Sequence, residues 1–256
     1  INRKDSSKPY TYAKAEVVID LNSGKIFHSK NENTKLPVAS LTKLMTAKVI
    51  LEENKLDEVV TVSKEAIGIG GSSIYLVANE KITVENLLKG LMIKSGNDAA
   101  VALAIHNAGS IENFVKKMNK KAKEMNLKNT SFNNPMGFDH QNNYSTAKDI
   151  ALLAKSLYED PLIKKIAVTD EQKISSIDNR FTHSLVNTNL LLDSYLNVVG
   201  LKTGRTEQAG GCFVGITRSN NPHLSVVLGS PNRFQDSKIL LDWAKNTFIY
   251  NNNINI

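Results

Sequence analysis

Ser40-Leu41-Thr42-Lys43 is an S-x-x-K motif. On a helix, residues three apart share a face, so a hydroxyl and an amine at this spacing can meet. A serine needs a base to become a nucleophile, and a lysine that has lost its proton to burial can serve. A serine at a helix N-terminus also sits among backbone N–H groups that favour developing negative charge. Ser95-Gly96-Asn97 is S-x-N, with a hydroxyl for proton relay and an amide to hold a substrate carbonyl. Lys202-Thr203-Gly204 adds a fixed positive charge, a second hydroxyl and a glycine that lets a substrate backbone lie against a strand.

Taken singly, each motif has a plainer reading. S-x-x-K recurs at Ser145-Thr146-Ala147-Lys148, and S-x-N recurs at Ser29, Ser131 and Ser219. A serine before a helix is commonly a cap followed by a solvated lysine, S-x-N commonly a turn, and K-T-G a strand ending in a glycine turn. Their order is the discriminating feature. Only Ser40 and Lys43 precede both a usable S-x-N and the single K-T-G.

The elements that must position these groups follow from the patterning. Ala15–Leu21 and Lys25–His28 are β-branched runs joined by Asn22-Ser23-Gly24, a hairpin signal. Pro37 precedes a helical pattern with Leu41, Leu44, Met45 and Val49 inward. Val60–Val62 is a short strand, and Gly68–Ser73 is a loop without the lysine of a phosphate-binding loop. Thr83 caps a helix carrying Leu87, Leu88, Leu91 and Met92. Asp98–His106 is a small-residue helix, Ser110 caps another, Asn133–Asn143 is a loop, and Ser145 opens the next helix. After Asp170 strands are expected at Leu196–Lys202, Cys212–Thr217 and Leu224–Leu228, then a helix over Arg233–Phe248. Two strands, many helices, three strands and a helix make an α/β fold. A five-stranded antiparallel sheet flanked by helices closes across an α-helical lobe.

Composition fits this and excludes other classes. The chain has 256 residues, 41% hydrophobic and 22% charged, with 14 glycines and 6 prolines, so disorder, collagen and coiled coil are excluded. One cysteine, Cys212, rules out an intrachain disulfide framework, and the expectation for it is a small buried hydrophobe. The five histidines show no metal-ligand spacing, so no metal is expected. The net charge of +7 suits anionic surroundings, but lysines and arginines are scattered without interleaved aromatics, which argues against nucleic acid. No apolar run approaches the ~20 residues of a membrane span. The polar N-terminus lacks an apolar signal core, so the chain is either cytosolic or has lost an export signal before residue 1.

The ordered triplet is shared by penicillin-binding proteins and class A β-lactamases. The chain resembles the D-alanyl-D-alanine carboxypeptidases among low-molecular-mass penicillin-binding proteins, from about Ala15 to Trp243. The resemblance lies in Pro37-Val38-Ala39-Ser40-Leu41-Thr42-Lys43, Ser95-Gly96-Asn97-Asp98-Ala99-Ala100, Asn134-Pro135-Met136-Gly137 with Tyr144-Ser145-Thr146-Ala147, and Gly200-Leu201-Lys202-Thr203-Gly204-Arg205-Thr206. It makes the second S-x-x-K structural. It implies a β-lactamase/transpeptidase-like fold and an exported enzyme, without cofactor, that cleaves D-Ala–D-Ala in peptidoglycan stem peptides through an acyl-enzyme on Ser40. Lys43 would be the general base, and Ser95 and Asn97 would relay the proton and position substrate. Lys202, Thr203 and Thr206 would hold the terminal carboxylate with Gly204 beside them and Arg205 adding a cation. Backbone N–H groups of Ser40 and Arg205 would form the oxyanion hole, and β-lactams would inhibit by acylating Ser40.

The expected organisation is a single catalytic domain over 1–256, with a sheet lobe at about 10–62 and 190–250 and a helical lobe at about 63–189. The family's further C-terminal β-domain is expected to be absent, with any membrane anchoring through a C-terminal segment beyond Ile256. Two other readings compete. A class A β-lactamase needs a deacylating glutamate in E-x-x-x-N between the second and third motifs. Glu112, Glu124, Glu159 and Glu171 are the glutamates there, and none has an asparagine four residues on. A catalytically silent wall-binding domain is opposed by the retained Ser40, Lys43, Ser95, Asn97 and Lys202. The motifs leave carboxypeptidase and endopeptidase open, because both use one site.

Overall fold

The structure is a computed structural model, and it describes residues 1–4 and 6–250. In chain order its elements are β1 (Asn2–Arg3), β2 (Ala15–Asp20), β3 (Ile26–Lys30), a 3₁₀ turn (Ala39–Thr42), α1 (Lys43–Glu53), β4 (Val59–Thr61), β5 (Lys81–Thr83), α2 (Val84–Ile93), α3 (Asn97–Ala108), α4 (Ile111–Glu124), α5 (Ala147–Leu157), α6 (Pro161–Ala167), β6 (Glu171–Ser175), β7 (Thr182–Val186), β8 (Val198–Thr206), β9 (Gly210–Thr217), β10 (His223–Ser230), α7 (Arg233–Thr247) and β11 (Phe248–Ile249).

The two ends of the chain build one antiparallel sheet in the order β3-β2-β10-β9-β8. Closure across the helices is made by β2 and β10, with Val17 opposite Val226 and Ile19 opposite Leu224. Strand alternation sends Val17 and Ile19 into the main core with the helices, and Val18 to the opposite face against Leu240 and Ala244 of α7. With both faces covered, β2 is buried along its whole length. The main core runs without a break from the sheet into α1–α6, and α1 itself packs among α2, α3, α4 and α5. β8 is left as a free edge.

The helix starts follow local chemistry. Thr83, Ser110 and Thr146 each accept a hydrogen bond from the backbone N–H three residues on, and Asp160 caps α6 ahead of Pro161. Three expectations are corrected. The cap of α5 is Thr146 rather than Ser145, whose hydroxyl pairs with Thr130 and whose backbone bridges to Leu36. The segment from Ser40 to Lys43 is a 3₁₀ turn that becomes a regular helix only at Lys43. K-T-G lies inside β8, because pairing with β9 continues to Thr206 opposite Gly210. The β6–β7 hairpin, α6 and β5 were not anticipated; the hairpin strands EQKIS and THSLV carry few apolar residues.

The second S-x-x-K is part of the scaffold: Ser145 and Thr146 are buried while Lys148 is exposed. Thr146→Ala is expected to cost about 1 kcal/mol in urea unfolding. Lys148→Ala should leave both stability and covalent labelling by penicillin unchanged, and loss of labelling in that variant would return the second motif to the chemistry.

Candidate active site

Ser40 is held in position by strain and close packing. Ala39, immediately before it, has φ 48, in the left-handed region that non-glycine residues rarely occupy. Two glycines allow the Ala39–Ser40 peptide to sit there. A Cβ on Gly137 would stand 2.0 Å from the Ala39 carbonyl oxygen, and one on Gly204 would stand 2.9 Å from the Ser40 nitrogen. The glycine of K-T-G therefore brings the edge strand against the backbone of Ser40, before any substrate is considered. Gly137 itself has φ +97, as the turn after Asn134 requires. Asn134 Oδ1 accepts from the N–H groups of Met136, Gly137 and Phe138, which shapes that turn. Thr46 donates to the Pro135 carbonyl at 2.7 Å and ties the turn to α1.

Lys43 is fully buried, and its Nζ has three neighbours: Ser40 Oγ at 2.9 Å, Asn97 Oδ1 at 2.7 Å and the Met136 carbonyl at 2.7 Å. Asn97 Oδ1 and Met136 O can only accept. A neutral amine has two N–H donors for them, which leaves its lone pair to take the Ser40 hydroxyl proton. Burial, and then the nearby Lys202 cation, push Lys43 well below the usual lysine range against a smaller opposing pull from Asp98. Geometry and electrostatics thus favour the same neutral, proton-accepting form. Asn97 is held in turn: its Nδ2 donates to Gly70 O at 2.6 Å and its backbone N–H to Ser72 O at 2.7 Å.

Ser40, Ser95, Asn97, Thr203, Gly204, Arg205 and Thr206 line one cleft of about 230 Å³. Lys202 does not line it. It is buried behind the strand, its Nζ donating to Thr203 O at 2.9 Å, and burial followed by Arg233 brings it down to about 7. It reaches the cleft through its field. Thr203 shares a hydrogen bond with Thr188 at 2.6 Å, and Thr206 donates to Asp139 at 2.6 Å. Sequence reasoning missed Thr188, Asp139, the carbonyls of Gly70, Ser72 and Met136, and Arg233. Arg233 opens α7, lines the cleft, and has a buried Nε without a partner among the described residues. Burial and then Arg205 lower its pKa. Met136 lies in the Asn134-Pro135-Met136-Gly137 segment already singled out, though not for its carbonyl, and the others belong to no motif. A larger cleft of about 370 Å³, beside Arg218, His223 and Tyr250, lies at the far end of the sheet and is lined by the Ser219–Asn221 copy of S-x-N, but by no residue of S-x-x-K or K-T-G. Chemistry rather than size selects the site.

A family model described as D-alanyl-D-alanine carboxypeptidase, peptidase family S11, matches residues 2–232. The chain belongs to the D-alanyl-D-alanine carboxypeptidase family. It is 44% identical over 225 residues to the D-alanyl-D-alanine carboxypeptidase DacF of Bacillus subtilis, covering 85% of this chain and 57% of that protein. It is 32% identical to a D-alanyl-D-alanine endopeptidase of Escherichia coli, covering 94% of this chain and 79% of that protein. The crystal structure of the Streptomyces K15 DD-transpeptidase superposes with a TM-score of 0.88 at 30% identity, covering 94% of this chain and all of that one. The chain spans about three fifths of the length of the curated carboxypeptidases it matches. The five-stranded antiparallel sheet with flanking helices is the fold of these family structures.

Two predictions follow from this geometry. Acylation by benzylpenicillin should rise with pH as Lys43 loses its proton, since the base exists only above its folded-state pKa, and Lys43→Ala should lower the rate by ~10²–10⁴. Full acylation of that variant at neutral pH would remove Lys43 as the base. Gly204→Ala should keep the far-UV spectrum but lose most acylation, because its Cβ displaces the Ser40 nitrogen; unchanged labelling by intact mass would contradict the contact.

Proposed function

We propose that the chain is a serine D,D-carboxypeptidase that removes the terminal D-Ala from peptidoglycan stem pentapeptides, outside the cytoplasm, and that β-lactams inhibit it. The observation that carries this is the arrangement at Lys43, whose two donor contacts leave its lone pair to Ser40. Ser40 Oγ attacks the carbonyl carbon of the penultimate D-Ala, and its proton passes to Lys43 Nζ. The tetrahedral intermediate collapses with cleavage of the C–N bond, and the leaving amine takes a proton relayed through Ser95. Water then attacks the ester carbonyl, and Ser40 recovers its proton as the C–Oγ bond breaks.

The terminal carboxylate has a suitable place. Lys202, Arg205 and Arg233 lie close together with Asp139 bonded to Thr206 beside them, and the pKa values of Lys202 and Arg233 are lowered by burial and then by that crowding. A bound carboxylate relieves the repulsion while Thr203 and Thr206 supply hydroxyls. The oxyanion falls to the N–H groups of Ser40 and Arg205, an assignment supported by the close approach of β8 to the Ser40 nitrogen. A dedicated deacylating glutamate has no candidate: Glu112, Glu124, Glu159 and Glu171 are all exposed, and none lines the cleft. Water must then be activated by the Ser40–Lys43–Ser95 network. A cleaved D-Ala leaves and admits that water, whereas the leaving group of a β-lactam stays tethered and blocks it.

The test is time-resolved mass spectrometry with a pentapeptide stem, a cross-linked stem dimer and benzylpenicillin. Expected are repeated D-Ala release from the pentapeptide, a long-lived penicilloyl adduct, and no adduct in Ser40→Ala. Cleavage of the dimer alone would make the protein an endopeptidase. Rapid penicillin turnover without D-Ala release would make it a β-lactamase, and an adduct mapped to Ser145 would remove Ser40 as the nucleophile.

A further inference from the structure

The wall of the cleft that holds Asn97 is the segment 70–80, which has no helix or strand of its own. Gly71 and Ser72 line the cleft, while Gly70 O and Ser72 O fix Asn97. Tyr75 at φ 64 and Asn79 at φ 67 lie in the left-handed region, so the segment carries backbone strain and needs anchors. One anchor is Asp98 of α3, whose carboxylate accepts from Ser73 Oγ at 2.6 Å and from the N–H groups of Ile74 and Leu76 at 3.1 Å. The second stands on the other side of the same peptide. His183, buried on β7, has Nδ1 3.0 Å from Ile74 O and Nε2 3.2 Å from Glu80 Oε2. Ile74 is thus held by its N–H from Asp98 and by its C=O from His183.

A backbone carbonyl and a carboxylate both accept. With Glu80 ionised, both bonds from His183 form together only if each ring nitrogen carries a hydrogen. The charged groups facing the ring are Glu80 from the segment itself and Asp98 from α3, both acidic. Across the hairpin, its β6 partner is the apolar Ile174. Lys94, at the end of α2, lies 3.5 Å from the neighbouring Ser184 carbonyl and over the Tyr75 ring. Glu80 Oε1 is buried with no partner among the described residues, so the carboxyl group depends on the contact of Oε2 with His183.

We propose that His183 is a positioning residue for the acylation centre: as a buried imidazolium it ties Ile74 to Glu80, holds the 70–72 wall on Asn97, and releases that wall when it loses its proton. The hydrogen bond to Glu80, working against burial, raises the His183 pKa above the ordinary histidine value of 6.5. A raised folded-state pKa means the anchor is fully present below the ordinary value and is lost as pH rises through the higher one. Lys43 needs the opposite, since it must be unprotonated, so rising pH acts on acylation in opposite directions through the two groups. Only the acylation readout below rests on the proposed function.

Lys202 also titrates near neutrality, so a pH–rate profile alone does not isolate His183. The decisive measurement is ¹⁵N-histidine NMR on the full chain, with amide hydrogen exchange read alongside. Expected are two protonated His183 ring nitrogens at neutral pH and a titration above that of an exposed histidine. The Ile74 and Leu76 amides should exchange faster as that titration proceeds, while α5 stays unchanged. Glu80→Gln should return the titration toward the ordinary range. His183→Gln can donate to only one acceptor; its segment exchange should lose pH dependence, and its acylation rate constant should fall on the order of tenfold with little change in initial penicillin binding. An unprotonated Nε2 at neutral pH, or exchange of Ile74 and Leu76 indifferent to the titration, overturns the proposal even if His183→Gln fails to fold. The NMR and exchange results expected here, in a protein that releases no D-Ala, would refute the proposed activity and leave the anchor standing.

Discussion

A primary amine kept out of water is the constraint around which this molecule is arranged. Lys43 has no exposed surface, and a charged ammonium in that place would be costly. The fold offers it two acceptors and a hydroxyl, contacts that suit the neutral amine. Each comes from a different part of the chain. Met136 O is set by the turn that Asn134 organises, and Asn97 is fixed by the carbonyls of the 70–72 wall. Ser40 is pressed into place by Gly137 and by the edge strand. The walls of the cleft are the supports of one nitrogen.

Behind that nitrogen lies a second cationic layer. Burial is the largest influence lowering Lys43, Lys202 and Arg233, and a neighbouring cation adds to it in each case: Lys202 for Lys43, Arg233 for Lys202 and Arg205 for Arg233. Mutual repulsion among cations thus does two jobs. It adds to burial in favouring the neutral Lys43 amine, and it leaves the far side of the cleft suited to an anion.

Much of this was legible in the chain itself, wherever local chemistry dictates the outcome. The hairpin at Asn22–Gly24, the caps at Thr83 and Ser110, and the strands near 200, 214 and 226 follow from patterns a few residues long. The ordered motifs pointed to Ser40, Lys43, Ser95 and Asn97, which the fold does bring together. What was not legible depends on distant partners. Backbone carbonyls such as Met136 O carry no residue signature. The β6–β7 strands are polar and gain order only by pairing with each other, and a lone arginine opening α7 looks like any other surface residue until its helix docks. The role of Gly204 was read as room for substrate, whereas its nearest demand is the Ser40 nitrogen.

The closure of the sheet by β2 on β10 also has a kinetic meaning. That ladder joins residues near the beginning of the chain to residues near its end, with the whole helical insert between them. Such long-range pairing is slow to form, because the entropy of closing a large loop precedes any gain. Lys202 on β8 adds to burial in lowering Lys43, and β8 joins the sheet only through β9 and β10. The full environment of Lys43 is therefore complete only once the two ends of the chain have met.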